Sequence, residues 1–154
     1  MQQSEGIIVY EPDRKWDLRF LALAKHVSQW SKDPSTQCGA VVVSPDRSIV
    51  LPGYNGFPRG MDDNRSLYTD RETKCARVIH AEMNAILSSS QSVRGWTLYV
   101  WPLMSCPRCS VHIIQAGIKR CVSVEASSEL FDRWDLGKSL EFFDEAGVEW
   151  LTYD

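Results

Sequence analysis

His80-Ala81-Glu82-Met83-Asn84-Ala85-Ile86 reads as the start of one helix, and Cys106-Pro107-Arg108-Cys109 as the start of another, with the apolar strand Thr97 to Trp101 between them. Pro107 suits the first helical position, and the residue before a proline avoids helical dihedrals, so Cys106 is predicted as a cap and Cys109 as a member of the first turn. Both sulfurs then sit at a helix N-terminus, where the dipole and free N–H groups favour thiolates. The two segments together offer one imidazole, two thiolates and one spare carboxylate. Three protein ligands with an open fourth position describe a catalytic zinc site, whereas a structural site wants four. H-x-E alone is common by chance, and C-x-x-C alone fits half of a structural site or a redox pair. No second C-x-x-C and no H-x-x-x-H completes a four-ligand set here.

Outward from these segments, helices alternate with strands. Trp16, Phe20, Leu23, Val27 and Trp30 recur at steps of three or four, predicting one buried face on a helix that ends near Ser31. Asp33-Pro34-Ser35 breaks it. Ala40 to Val43 and Ile49 to Tyr54, joined by the turn Ser44-Pro45-Asp46-Arg47, predict a hairpin. Gly53 to Ala76 shows no period and reads as a long loop of functional length. Ala81 to Ser88 is predicted helical, as is Pro107 to Ala116 with Gly117 as its C′ glycine. Arg120 to Val124 is a strand, Leu140 to Ala146 a helix closed by Gly147, and Val148 to Leu151 a last strand. Strands separated by helices imply parallel neighbours and a three-layer α/β/α sandwich.

The 154 residues make one domain, 1–154, with 1–12 expected as a flexible N-terminal segment. Met1 to Glu11 has no signal-peptide core, and no apolar run is long enough to span a membrane. Five cysteines, an odd number, with two in C-x-x-C, suit a metal and a reducing cytoplasmic compartment better than a disulfide framework. His26 and His112 read as ordinary helix residues, and Cys38, Cys75 and Cys121 as packing residues. The net charge of −3 disfavours a nucleic-acid partner, which usually calls for a basic surface.

H-x-E followed by P-C-x-x-C is the signature of zinc-dependent nucleobase deaminases. With Gly53-Tyr54-Asn55-Gly56-Phe57-Pro58-Arg59-Gly60, Asp62-Asp63, Ser31-Lys32-Asp33-Pro34-Ser35-Thr36-Gln37 and Glu145-Ala146-Gly147-Val148, the chain resembles the deoxycytidylate (dCMP) deaminase family over Trp16 to Leu151. It departs at Ser105, where the family places proline, and at Trp101-Pro102-Leu103-Met104, expected to line the base pocket; Ser105 is expected to serve as a helix cap. The resemblance implies the cytidine deaminase fold with a five-stranded mixed sheet, and hydrolysis of dCMP to dUMP with release of ammonia. His80, Cys106 and Cys109 would bind one Zn2+ and Glu82 would shuttle protons. Two thiolates leave that ion without net charge, so it acidifies water less than an all-histidine site and a nearby base is useful. Asn55 would hold the sugar hydroxyl, and the backbone of Ala81 the pyrimidine carbonyl.

For the 5′-phosphate or an effector, the candidates are Gly53, Tyr54, Gly56, Arg59, Arg65 and Arg108, in a region that also carries Arg71, Lys74 and Arg77. The resemblance further implies a homohexamer activated by dCTP, with Mg2+, and inhibited by dTTP. The competing readings are a tRNA adenosine deaminase, which shares the zinc core, and a zinc-stabilised binding domain without turnover. Overall acidity opposes the first, and the intact Glu82 opposes the second.

Overall fold

In the computed structural model, residues 11–154 are described, and they build one five-stranded sheet. Of the expected N-terminal segment 1–12, residues 1–10 lie outside the described residues and Glu11 opens the first helix. The strands are β1 (Gly39–Val43), β2 (Val50–Tyr54), β3 (Thr97–Trp101), β4 (Arg120–Val124) and β5 (Glu149–Tyr153), in the order β2-β1-β3-β4-β5. β1 is antiparallel to both β2 and β3, while β3, β4 and β5 run parallel, giving the mixed sheet. β2 and β3 therefore point the same way, with β1 lying between them.

Every residue of β1 is buried, and alternation sends its side chains to two cores. Val41 and Val43, with Tyr99 and Val122, meet Phe20, Leu21 and Ala24 of α1 (Glu11–Ser28). Ala40 and Val42, with Leu98, Val100 and Cys121, face the opposite layer. That layer holds α3 (Ala81–Leu87), α4 (Pro107–Gln115) and α6 (Leu136–Ala146).

The buried stripe of α1 differs from the one predicted. Asp17, Phe20, Leu21, Ala24, Val27 and Ser28 are buried, while Leu23 and Trp30 are 37% and 51% exposed. Two polar members hid this stripe from a hydrophobicity reading. Asp17 is buried because its carboxylate takes both guanidinium nitrogens of Arg120 at 2.6 Å and the hydroxyls of Tyr99 and Tyr153 at 2.8 and 2.7 Å. Burial alone would raise its pKa, but these donors outweigh it and hold the group below its ordinary 3.8. One carboxylate thus fastens α1 to β3, β4 and β5.

The stretch expected as loop contains a 3₁₀ turn, Arg65–Tyr68, and α2 (Arg71–Arg77). α2 buries no residue, so it has no apolar stripe to read. The turn is set by polar groups: Asn64 caps Ser66, and the Tyr68 hydroxyl donates to Asp63 at 2.6 Å. The last helix begins at Leu136 rather than Leu140, and α5 (Ser128–Arg133), capped by Ser127, precedes it. Cys75, predicted to pack, is exposed.

Candidate metal centre and active site

Strand direction assembles the site. The end of β2 (Tyr54), the start of β1 (Gly39) and the end of β3 (Trp101) are in register, so Asn55, Cys38 and the segment after Trp101 emerge at one edge. The N-termini of α3 and α4 meet that edge. His80 is the extended N-cap of α3 and Cys106 the extended N-cap of α4, with Pro107 next and Cys109 buried in the first turn.

The donor atoms of His80, Cys106 and Cys109 lie within 4.8 Å of one another. His80 Nδ1 is 3.5 Å from the Cys106 sulfur and 3.3 Å from that of Cys109. A tetrahedral zinc with ordinary Zn–N and Zn–S bonds would hold such atoms about 3.6 Å apart. The residues present therefore fit one zinc ion. A bond from the Cys109 thiol and the neighbouring His80 lower the pKa of the Cys106 thiol, while the same bond and burial raise that of Cys109.

Glu82, in the first turn of α3 and 4% exposed, is not part of the donor cluster. Burial pushes its carboxyl upward, and the charge of His80 opposes that. A raised carboxyl beside a metal site is suited to taking and returning protons near neutrality. Ala81, the first residue of α3, is fully buried against the sheet. Leu103 and Met104 are buried beyond β3, and Trp101 and Pro102 half-buried.

Ser105 is not the cap it was expected to be. Cys106 takes the cap position, the Ser105 carbonyl accepts from Ser110 at 3.4 Å, and the buried Ser105 hydroxyl lies near Glu82, whose pKa it helps lower against burial.

Asn55 is buried, with both amide N–H bonds and one lone pair of its Oδ1 engaged by the segment 33–38. Cys38, predicted as mere packing, lies beside the same site: burial first, then the charges of Glu82, Asp33 and Cys106, push its thiol up to about 12. Asp33 is the other residue that sequence reasoning missed. It reads as a helix breaker beside Pro34, yet it is buried and pairs with Lys74 at 3.2 Å. Only the polar run Ser31 to Gln37, ahead of an apolar strand, hinted at it.

None of the remaining candidates belongs to the donor cluster. Gly53 lies under α3, where a Cβ would meet Ala85 N at 2.3 Å and Ala81 O at 2.5 Å, so close packing explains the glycine. Tyr54 is exposed, edge-on to Trp30, and Gly56 bridges Ile79 next to His80. Arg59, Arg65, Arg71 and Arg108 are exposed, while Lys74 and Arg77 are half-buried. Arg65, with Trp30, Lys32, Asp33, Gln37 and Thr69, lines a groove of about 530 Å³ to which no metal-cluster residue contributes.

Comparison with known proteins gives consistent matches. Residues 14–125 match the family described as the cytidine and deoxycytidylate deaminase zinc-binding region. The chain is 40% identical over 144 residues to the uncharacterized deaminase in the luxG 3′ region of Aliivibrio fischeri, covering 91% of this chain and 96% of that one. It is 38% identical over 145 residues to the deoxycytidylate deaminase of Homo sapiens, covering 90% and 80%. Among solved structures, the dCMP deaminase of cyanophage S-TIM5 in complex with dCMP and dUMP superposes with a TM-score of 0.68 at 25% identity, over 94% of this chain and all of that one.

Proposed function

Because the chain belongs to the family of cytidine and deoxycytidylate deaminases, and is a zinc-dependent deaminase, we propose that it converts dCMP and water to dUMP and ammonia. The observation that carries this reading is Glu82, buried beside the three-donor cluster and outside it. A purely structural zinc site has no use for a buried carboxylate outside its ligand set, which costs free energy to keep there. The reading is supported by relatives named deoxycytidylate deaminases and by the fold neighbour bound to dCMP and dUMP.

His80, Cys106 and Cys109 would hold the zinc, which when bound supplies the Lewis acidity that makes water nucleophilic at neutral pH. Glu82 takes one proton from that water and delivers it to N3 of the pyrimidine as the oxygen joins C4. It then carries the second proton to the amino group, which departs as ammonia and leaves the C4 carbonyl of dUMP. Asn55 receives the sugar hydroxyl, and the Ala81 backbone meets the ring carbonyl. Burial of Glu82 keeps solvent from competing for these protons. The phosphate is left to the basic residues of the 53–77 region and Arg108.

Regulation by dCTP, with Mg2+, as activator and dTTP as inhibitor belongs to the same proposal, as do a homohexamer and a cytoplasmic location. The regulatory part is favoured by the 530 Å³ groove, which offers an aromatic ring and the cations Lys32 and Arg65 apart from the metal cluster. Among the described residues no helix is long and apolar enough to cross a membrane.

The test is ammonia release from dCMP, deoxycytidine and an adenosine-bearing tRNA. A kcat/KM for dCMP well above that for deoxycytidine, with no action on tRNA, is expected. Equal values for dCMP and deoxycytidine would refute the substrate assignment, and action on tRNA alone would favour the tRNA adenosine deaminase reading. dCMP saturation curves with each triphosphate, alongside a mass measurement, test regulation and assembly: hyperbolic kinetics from a monomer indifferent to both would remove that part.

A further inference from the structure

The amide of Asn55 is held in one orientation by groups that cannot reverse their hydrogen-bonding sense. Its Nδ2 donates to the Thr36 carbonyl at 2.9 Å and to the Asp33 carboxylate at 3.3 Å, and its Oδ1 accepts the Cys38 backbone N–H at 2.8 Å. Turning the amide over would set oxygen against a carbonyl and a carboxylate, and an NH2 group against an N–H. Both N–H bonds are therefore committed, and the free valence is one lone pair on Oδ1. A molecule reaching Asn55 has to bring a donor.

Asp33 is built to maintain this. It is only 9% exposed, and its other oxygen accepts the N–H groups of Ser35 and Thr36 at 2.8 and 3.3 Å and Lys74 Nζ at 3.2 Å. The carboxylate is thus pinned by its own turn and by α2, which runs on through Val78 and Ile79 to His80. The Ser31 hydroxyl adds a further tie, donating to the Asn55 carbonyl at 2.8 Å. No group of this network belongs to the metal donor set, and Asp33 is near enough for its charge to act on His80.

We propose that Asp33 is a positioning residue: it locks Asn55 as an acceptor for a sugar hydroxyl and so makes the enzyme select nucleotides that retain that hydroxyl. This rests on the dCMP reading above. Replacing Asp33 by asparagine allows an NH2 to face the Asn55 NH2, and the lock relaxes.

The experiment compares kcat/KM for dCMP and for 2′,3′-dideoxycytidine 5′-monophosphate in wild type, Asp33→Asn and Asn55→Ala, with zinc content measured for each. One hydrogen bond to the hydroxyl corresponds to a wild-type preference for dCMP of about tenfold. Asp33→Asn is expected to bring that ratio down toward the value for Asn55→Ala, through KM for dCMP, while the dideoxynucleotide reacts within about twofold of wild type. A merely structural role lowers both substrates alike and keeps the ratio, and that result overturns the proposal. If Asp33→Asn loses zinc or fails to fold, Asp33→Glu carries the same ratio test, since it keeps the charge and displaces it by one methylene. A wild type that turns over dCMP without preference refutes the positioning role. A wild type inactive on dCMP refutes the substrate reading and the proposal with it.

Discussion

Gly53→Ala is expected to damage both stability and turnover, although it adds only a methyl group. The new Cβ would sit 2.3 Å from Ala85 N, 2.5 Å from Ala81 O and 2.8 Å from Ala85 Cα, all backbone atoms of α3. Ordinary contact begins near 3.4 Å, so β2 and α3 must part by about 1 Å. Overpacking of this kind costs about 1–3 kcal/mol. The displaced turn carries Ala81 and Glu82, with His80 as its cap. A misplacement of about 1 Å at reacting groups costs on the order of a hundredfold in rate. Gly137→Ala is the control: inside α6 its Cβ would meet only Phe131, at 3.5 Å, and exchanging a helical glycine for alanine stabilises by about 0.5–1 kcal/mol. Urea unfolding of both variants, with kcat/KM on dCMP and zinc content, reads the two effects separately. Wild-type stability and turnover in Gly53→Ala would show that α3 does not rest on β2 as described.

Cys106→Ala is expected to lose zinc and much of its stability, because binding of a structural or catalytic ion is coupled to folding; full zinc occupancy in that variant would exclude this ligand set. Glu82→Gln should keep fold and zinc while kcat falls by roughly a hundred- to ten-thousand-fold, and near-normal turnover would remove Glu82 from the proton path. Asp17→Asn leaves the half-buried Arg120 without its counter-charge and should cost about 3 kcal/mol at neutral pH. The Asp17 carboxyl lies below 3.8 in the folded state, so its contribution is complete above that value and disappears as pH falls through the folded value. The stability gap between wild type and Asp17→Asn, followed by urea titration, should therefore be constant near neutrality and close in acid; a gap that persists unchanged at the lowest pH would contradict the network's role.

The parts of the fold that were legible in sequence are those that bury an apolar stripe or carry a strong stop signal. β3 and β4 fall where the apolar runs place them, and α4 starts at Pro107 and stops ahead of the positive-φ glycine at 117 as its punctuation directs. The unread parts are held by polar groups. α2 buries nothing, the Arg65–Tyr68 turn depends on Asn64 and Asp63, and α1 turns toward the sheet on Asp17. The bonds of Asp17 join residues far apart in the chain, those of Asn64 and Asp63 are local, and hydropathy carries no trace of either kind.

The same division holds for the site. H-x-E and C-x-x-C, taken together, made a zinc site legible in the sequence, because thiolate and imidazole favour that ion and each motif is local to one helix start. Which residues surround the cluster was decided only by tertiary structure. Antiparallel pairing of β1 with β2 and β3 brings Cys38 and Asn55 to the edge that His80 and Cys106 reach from elsewhere in the chain. Asp33 takes its part there because folding buries it between Asn55 and Lys74, where a carboxylate persists only if every one of its oxygens is satisfied.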